Sequence, residues 1–194
     1  MLRHLSLIAL PLCVTGPAPA HGQESGRFFV GLASTYSVLP TDLPASYLAE
    51  LSGRTDVQGP SDPKDRIGFS ARAGFGVSQD LSIAAVYDGV ASRVSIDLAG
   101  TRTGAAMVLH AAGVDARKAF GGWFYVLGGV GALTLDPEAR PAETSINWTA
   151  GVGRRDGVFR FELKDRMTVT TLGEGGESIF LHLVQLSAGF EVSL

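Results

Sequence analysis

From Ile67 to Val77 every second residue is apolar: Ile67, Phe69, Ala71, Ala73, Phe75 and Val77 alternate with Gly68, Ser70, Arg72, Gly74 and Gly76. Successive side chains of a strand point to opposite sides, so a period of two predicts an extended segment with one apolar face and one small or charged face. The same rhythm returns along most of the chain. Phe28, Val30, Leu32 and Tyr36 carry it near the beginning, and Ile146, Trp148, Ala150 and Val152 further on. Phe159, Phe161 and Leu163 alternate with Arg160, Glu162 and Lys164, and the last stretch, Phe180 to Leu194, does the same. Three less regular segments, Leu81–Asp88, Met107–Arg117 and Trp123–Leu133, bring the expected strands to eight.

The connections alternate in length. Short joins are expected at Ser78-Gln79-Asp80, around 118–122 and at Arg155-Asp156-Gly157, where Asp-Gly is a hairpin dipeptide. Long ones cover 39–65, 89–104, 134–144 and 168–178. Short turns at one end and long polar loops at the other point to an up-and-down antiparallel barrel that spans a membrane with strands. Helical spans are excluded on length: the best apolar run after the first twenty residues, Trp123 to Leu135, has 13 residues and three glycines, where a spanning helix needs about 18 or more.

Composition decides which face meets what. The chain is 45% hydrophobic and only 18% charged, against about 25% charged in ordinary soluble domains. A barrel in lipid turns its apolar face outward and fills its lumen with the polar face. The polar faces here are rich in glycine and short residues, as a narrow interior requires. Aromatics gather near strand ends: Phe28, Phe75, Trp123, Tyr125, Phe159 and Phe190 toward the short turns, Tyr36, Tyr87 and Phe180 toward the long loops. Two such girdles fit two water–lipid interfaces. The formal charge of −3 gives no basis for binding nucleic acid.

The first twenty residues are expected to be a cleaved signal peptide. Arg3 and His4 precede the apolar run Leu5–Val14, and Ala18-x-Ala20 fits the small-residue cleavage slots, placing the cut after Ala20 and the barrel domain over 21–194. Cys13, the one cysteine, lies inside the apolar run and follows Leu12, which speaks against a lipid anchor. Removal of Arg3 shifts the formal charge from −3 to −4, because no acidic residue precedes the cut. The chain that remains has no cysteine for disulfides or thiolate ligands.

The final residues, Ser187-Ala188-Gly189-Phe190-Glu191-Val192-Ser193-Leu194, resemble the terminal signal read by the barrel-assembly machinery, with Gly189, Phe190, Val192 and Leu194 at its marked positions and aliphatics where an aromatic is commoner. With the leader and eight strands, the chain resembles the small outer-membrane barrels that include the outer membrane protein A transmembrane domain and the opacity proteins. The resemblance covers essentially all of 21–194. It implies an all-β, eight-stranded antiparallel up-and-down transmembrane barrel in the outer membrane of a Gram-negative bacterium. It also implies a monomer with both ends in the periplasm, surrounded by outer-membrane lipid and lipopolysaccharide, without a cofactor. A structural or surface-contact role is expected, with loops 39–65 and 89–104 as candidate ligand-binding segments.

Alternation places Arg72, Asp115, Arg117, Arg160, Glu162, Lys164 and Glu191 in the lumen. Unpaired charges there are costly, so an ion-pair network is expected, with Glu162 reaching toward Arg72. Within 39–65, Thr41 to Gly53 has a cap, an early proline and apolar positions at helical spacing, which suit a short surface helix. Val94-Ser95-Ile96-Asp97 changes parity and reads as a bulge or a hairpin above the membrane.

Two other functions compete with a non-catalytic barrel. An outer-membrane acyl hydrolase acting on lipid A needs a serine, a histidine and an acid together. His182, on the apolar face beside the strand carrying Ser34, has no accompanying acid in its sequence neighbourhood. His110 also falls on the apolar face, in mid-strand, and the four histidines are too scattered for a metal site. A soluble lipocalin-like barrel would instead line its cavity with Phe69, Phe75, Phe161 and Leu186.

Overall fold

The structure is a computed structural model that describes residues 25–38, 62–63, 66–98, 101–137, 142–171 and 178–194. The leader and the helix expected at 41–53 lie outside the described residues. The strands are β1 (Phe28–Val38), β2 (Asp62–Pro63), β3 (Arg66–Gly76), β4 (Leu81–Leu98), β5 (Thr101–Phe120), β6 (Phe124–Pro137), β7 (Glu143–Asp156), β8 (Phe159–Thr171) and β9 (Ser178–Ser193). β1 pairs with both β3 and β9, and every other barrel strand pairs with its sequence neighbour, all antiparallel. Eight strands thus close a barrel, while β2 adds two residues to the outer part of β4.

From Val38 the rungs run through Val184, Asp165, Ala150, Gly128, Ala116, Ile83 and Phe75 to Phe28. One circuit therefore returns to β1 ten residues before its start. Stagger of this kind tilts the strands by roughly 40° and leaves an eight-stranded bore just wide enough to be filled by side chains.

Burial follows the alternation. In β1, Phe29, Gly31, Ala33, Thr35 and Ser37 face inward and Phe28, Val30, Leu32, Tyr36 and Val38 outward. Phe69, Phe75, Phe161 and Leu186 are 43–52% exposed on the outer wall. That overturns the lipocalin reading, which needed them inside. Phe28, Phe75, Trp123, Phe159 and Phe190 form the expected girdle near the short turns, but Tyr125 does not join it: it is buried in the lumen at 5% exposure. The reason is parity. Tyr125 shares the inward face of β6 with Leu127, Leu133 and Leu135.

The bore is therefore not polar throughout. Val86, Val90, Leu109, Leu181 and Leu183 join those leucines inside, so aliphatic groups from β4, β5, β6 and β9 share the lumen with the charges. The expected loop 89–104 is corrected as well: β4 and β5 stay paired up to Leu98↔Thr101, so most of that loop is strand. The neighbouring pair of β5 and β6 ends at Met107↔Pro137, leaving a hairpin that rises beyond the described rim.

At the opposite rim the turns are tight. Gly157, with φ of 58°, occupies the left-handed conformation that the turn between β7 and β8 requires. Between β3 and β4, Ser78 Oγ donates to Asp80 Oδ1 at 2.7 Å and accepts from Leu81 N at 3.2 Å, and Lys118 of β5 pairs with Asp80. The Lys118 ammonium bonded to Asp80, with help from the Ser78 hydroxyl, holds that carboxyl below its usual range.

Candidate functional site: two tiers of charge in the lumen

β8 supplies the axis of the site. Arg160, Glu162, Lys164, Arg166 and Thr168 occupy consecutive inward positions, each at most 2% exposed. A run of this kind is tolerated because the neighbouring inward positions are short or complementary. Gly151 lies in register with Lys164 and Gly153 with Glu162. A Cβ at Gly153 would collide with the Tyr125 ring, so glycine there makes room for that phenol.

Near the short turns the charges form one connected tier. Glu162 Oε2 accepts from Arg72 Nη2 at 2.5 Å, and its Oε1 accepts from Tyr125 Oη at 2.7 Å. Arg160 lies between two carboxylates, 3.8 Å from Glu162 and 3.5 Å from Glu191, distances too long for hydrogen bonds. Glu191 Oε2 accepts from Arg117 Nη1 at 2.8 Å, and Arg155 approaches its other oxygen at 3.6 Å. The Arg117 guanidinium also stacks on the Phe29 ring, 4.6 Å from its centroid, and lies 5.4 Å from that of Tyr125.

The second tier lies toward the long loops and centres on Asp88. Lys164 Nζ donates to both Asp88 oxygens at 2.8 and 3.0 Å, and Arg166 pairs with the same carboxylate. Arg166 is further bonded to Gln185 Oε1 at 3.0 Å, Asn147 Oδ1 at 3.1 Å and Thr149 Oγ1 at 3.0 Å. Gln185 in turn donates to Ser37 Oγ at 3.3 Å, linking β8, β9 and β1 across the barrel seam.

Of the seven charges that alternation placed inside, five are in the first tier: Arg72, Arg117, Arg160, Glu162 and Glu191. Lys164 belongs to the second. Asp115 is buried at 1% exposure beside Gly129, its Oδ2 without a hydrogen-bond partner, and no ion pair joins it to a described cation. Sequence reasoning missed Asp88, Arg166, Tyr125, Asn147 and Gln185. Asp88 continues the inward series Ser82, Ala84, Val86, and Arg166 continues Arg160, Glu162, Lys164; both signals were present just at or past the expected strand ends.

The two described histidines, His110 and His182, sit on the outer wall. His110 Nδ1 lies 2.6 Å from Tyr87 Oη, which gives its ring a polar partner there; Phe69 packs against Tyr87 at 5.7 Å. For His182 the expectation of no accompanying acid is corrected: its Nδ1 is 2.8 Å from Asp165 Oδ2. The partners lie diagonally on adjacent strands, since Asp165 pairs with Val184, a relation that a separation of 17 residues in sequence does not reveal. Ser34 pairs with Ala188, six positions along β9 from His182, roughly 20 Å at strand rise. Ser34 and His182 therefore do not form a catalytic pair. The terminal signal lies on β9 against β1 up to Ser193: Gly189 faces inward opposite Ala33, Phe190 and Val192 face outward, and Leu194 follows the strand end, exposed.

No protein-family model matches the chain, and no curated protein matches it. Solved structures do. The outer membrane protein OprG of Pseudomonas aeruginosa aligns with a TM-score of 0.52 and 9% identity over 90% of this chain and 98% of that one. Neisserial surface protein A aligns at 0.50 and 12% identity, covering 85% and 96%. The Yersinia pestis outer membrane protein Ail in a phospholipid bilayer nanodisc gives 0.50 and 12% identity, covering 84% and 99%. At these identities the likeness is one of fold.

Proposed function

We propose that this chain, which has the fold of the small eight-stranded outer-membrane barrels, is an integral outer-membrane protein with a structural or surface-contact role and no catalytic cycle. The inversion of polarity carries the reading. Large apolar side chains such as Ile67, Phe69, Val130, Ile146 and Phe161 stand 44–70% exposed on the outer wall, while Arg66, Arg160, Lys164 and Glu162 are at most 1% exposed within. A monomer in water rarely exposes apolar patches beyond a few hundred Å², whereas a lipid-embedded barrel must. The rings near the short turns and the opposing set of Tyr36, Tyr87, Trp148 and Phe180 support two interfacial girdles. A lumen packed with side chains favours a closed barrel over a wide channel.

Export by a cleaved leader, insertion by the barrel-assembly machinery and a monomeric state belong to the same proposal. The surface role falls to the β4–β5 hairpin, the described element that rises beyond its neighbours. Outer-membrane and surface names among proteins of this fold support the assignment. Carbonate extraction of membranes and gel migration before and after boiling test it together. The chain is expected to stay with the membrane and to shift on heating, and recovery in the soluble fraction overturns the reading. Lipid A acylation is expected to be the same with wild type and with His182→Ala; a difference would install the hydrolase in its place.

A further inference from the structure

Among the described residues, six cationic side chains face the lumen apart from Arg66: Arg72, Arg117, Arg155, Arg160, Lys164 and Arg166. Four carboxylates answer them, Asp88, Asp115, Glu162 and Glu191. The imbalance is sharpest in the tier near the short turns, where four arginines gather around Glu162 and Glu191 and Asp115 takes no part. Net charge buried this deeply is costly unless it is compensated.

The same tier holds more unused donors than acceptors: seven guanidinium nitrogens lack a partner, against one carboxylate oxygen, Glu191 Oε1. Nε and Nη1 of Arg72, Nε and Nη2 of Arg117, and all three guanidinium nitrogens of Arg160 are buried with no hydrogen-bond partner. These three side chains are at most 4% exposed. They come from β3, β5 and β8, on different sides of the bore, and are joined through the carboxylates between them. Cations in surplus, with unused N–H groups on three walls of the bore, call for an acceptor that also carries negative charge. A water molecule would satisfy the first need and leave the second.

We infer that the short-turn tier of the lumen binds one small inorganic anion of halide size, held by Arg160 together with Arg72 and Arg117. The size follows from the burial of all three arginines and from a bore that side chains fill. Arg155 marks the entry: its side chain is 18% exposed and it already approaches Glu191. The inference extends the closed-barrel reading by giving the packed lumen a ligand, and it holds equally for a barrel with any surface role.

Bromide is the probe. Crystals of the folded barrel soaked in bromide should give one anomalous peak at hydrogen-bond distance from Arg160 and from at least one of Arg72 and Arg117. In detergent at constant ionic strength, replacing isethionate with chloride should raise the midpoint of thermal unfolding saturably, as a ligand of the folded state does. Arg160→Gln should abolish that response. Arg117→Lys keeps the charge, removes the fork and gives a second reading should the glutamine variant fail to fold: its half-saturation should move about tenfold toward higher chloride. Ordered water alone at these nitrogens overturns the site. So does a bromide peak with no stability response, which marks an adventitious ion only, or an undiminished response in both variants.

Discussion

Glu162 ties together three residues of the short-turn tier, accepting from Arg72 and Tyr125 while Arg160 lies alongside. Removing one partner of a buried pair leaves the other as an uncompensated charge, a loss of about 3–5 kcal/mol. Glu162→Gln should lower the unfolding midpoint in detergent accordingly, and adding Arg72→Met should recover part of the loss. A loss in the double variant equal to the sum of the losses in Glu162→Gln and Arg72→Met would mean that the two do not interact. Asp80 offers a test outside the membrane span. Its carboxyl titrates below the usual range in the folded chain, through the bond to Lys118 and then Ser78. The contribution of this turn is therefore complete above the ordinary carboxylate pKa and is lost as pH falls through the lowered one. An NMR titration should show Asp80 protonating at lower pH than an unbonded aspartate, and Lys118→Ala should raise it toward the ordinary range. Parity alone located Arg72, Arg117, Arg160, Glu162, Lys164 and Glu191, because a strand side chain has two directions to choose from. Which cation meets which carboxylate was not legible, except for the reach from Glu162 to Arg72. The others depend on register between strands and on rotamers, which alternation does not encode.

At the scale of elements, strands read well where one face is apolar and the other is not. β1, β3, β8 and β9 meet that condition, and their residues alternate in burial along most of their length. β6 blurs because Leu127, Leu133 and Leu135 face inward while Val126 and Val130 face outward, so both sides are apolar. An aromatic on such a strand has no preferred side by pattern, which is how Tyr125 is assigned to the wrong face. β4 and β5 were read short for a different reason. Beyond the membrane a hairpin has no apolar wall to satisfy, so its strands lose the alternation while keeping the backbone ladder to Leu98↔Thr101. That ladder makes the hairpin separable from the barrel. Deleting 94–105 and closing the gap with Asn-Gly should leave the heat-dependent gel shift intact and weaken whatever surface adhesion the wild-type chain confers on cells. Loss of the gel shift would show that the hairpin is needed to form the barrel itself.

For the molecule as a whole, a bore packed with Arg66, Arg160, Arg166, Lys164 and Gln185, each at most 2% exposed, predicts low conductance. Planar-bilayer recordings should show openings far below those of wide porins, and large, long-lived channels would contradict a filled lumen. The ladder has one more consequence. Leu194 N donates to Phe28 O at 2.8 Å, and β1 and β9 stay in register from Phe29↔Ser193 to Val38↔Val184. The contact between the first and last strands is thus built like every other, and the wall has no privileged seam. A circularly permuted chain, joined by a few residues between 194 and 28 and cut in the β4–β5 hairpin, would lay down the same eight staves in a rotated order. Which strand is made first would then be a matter of the assembly route and not of the finished cylinder.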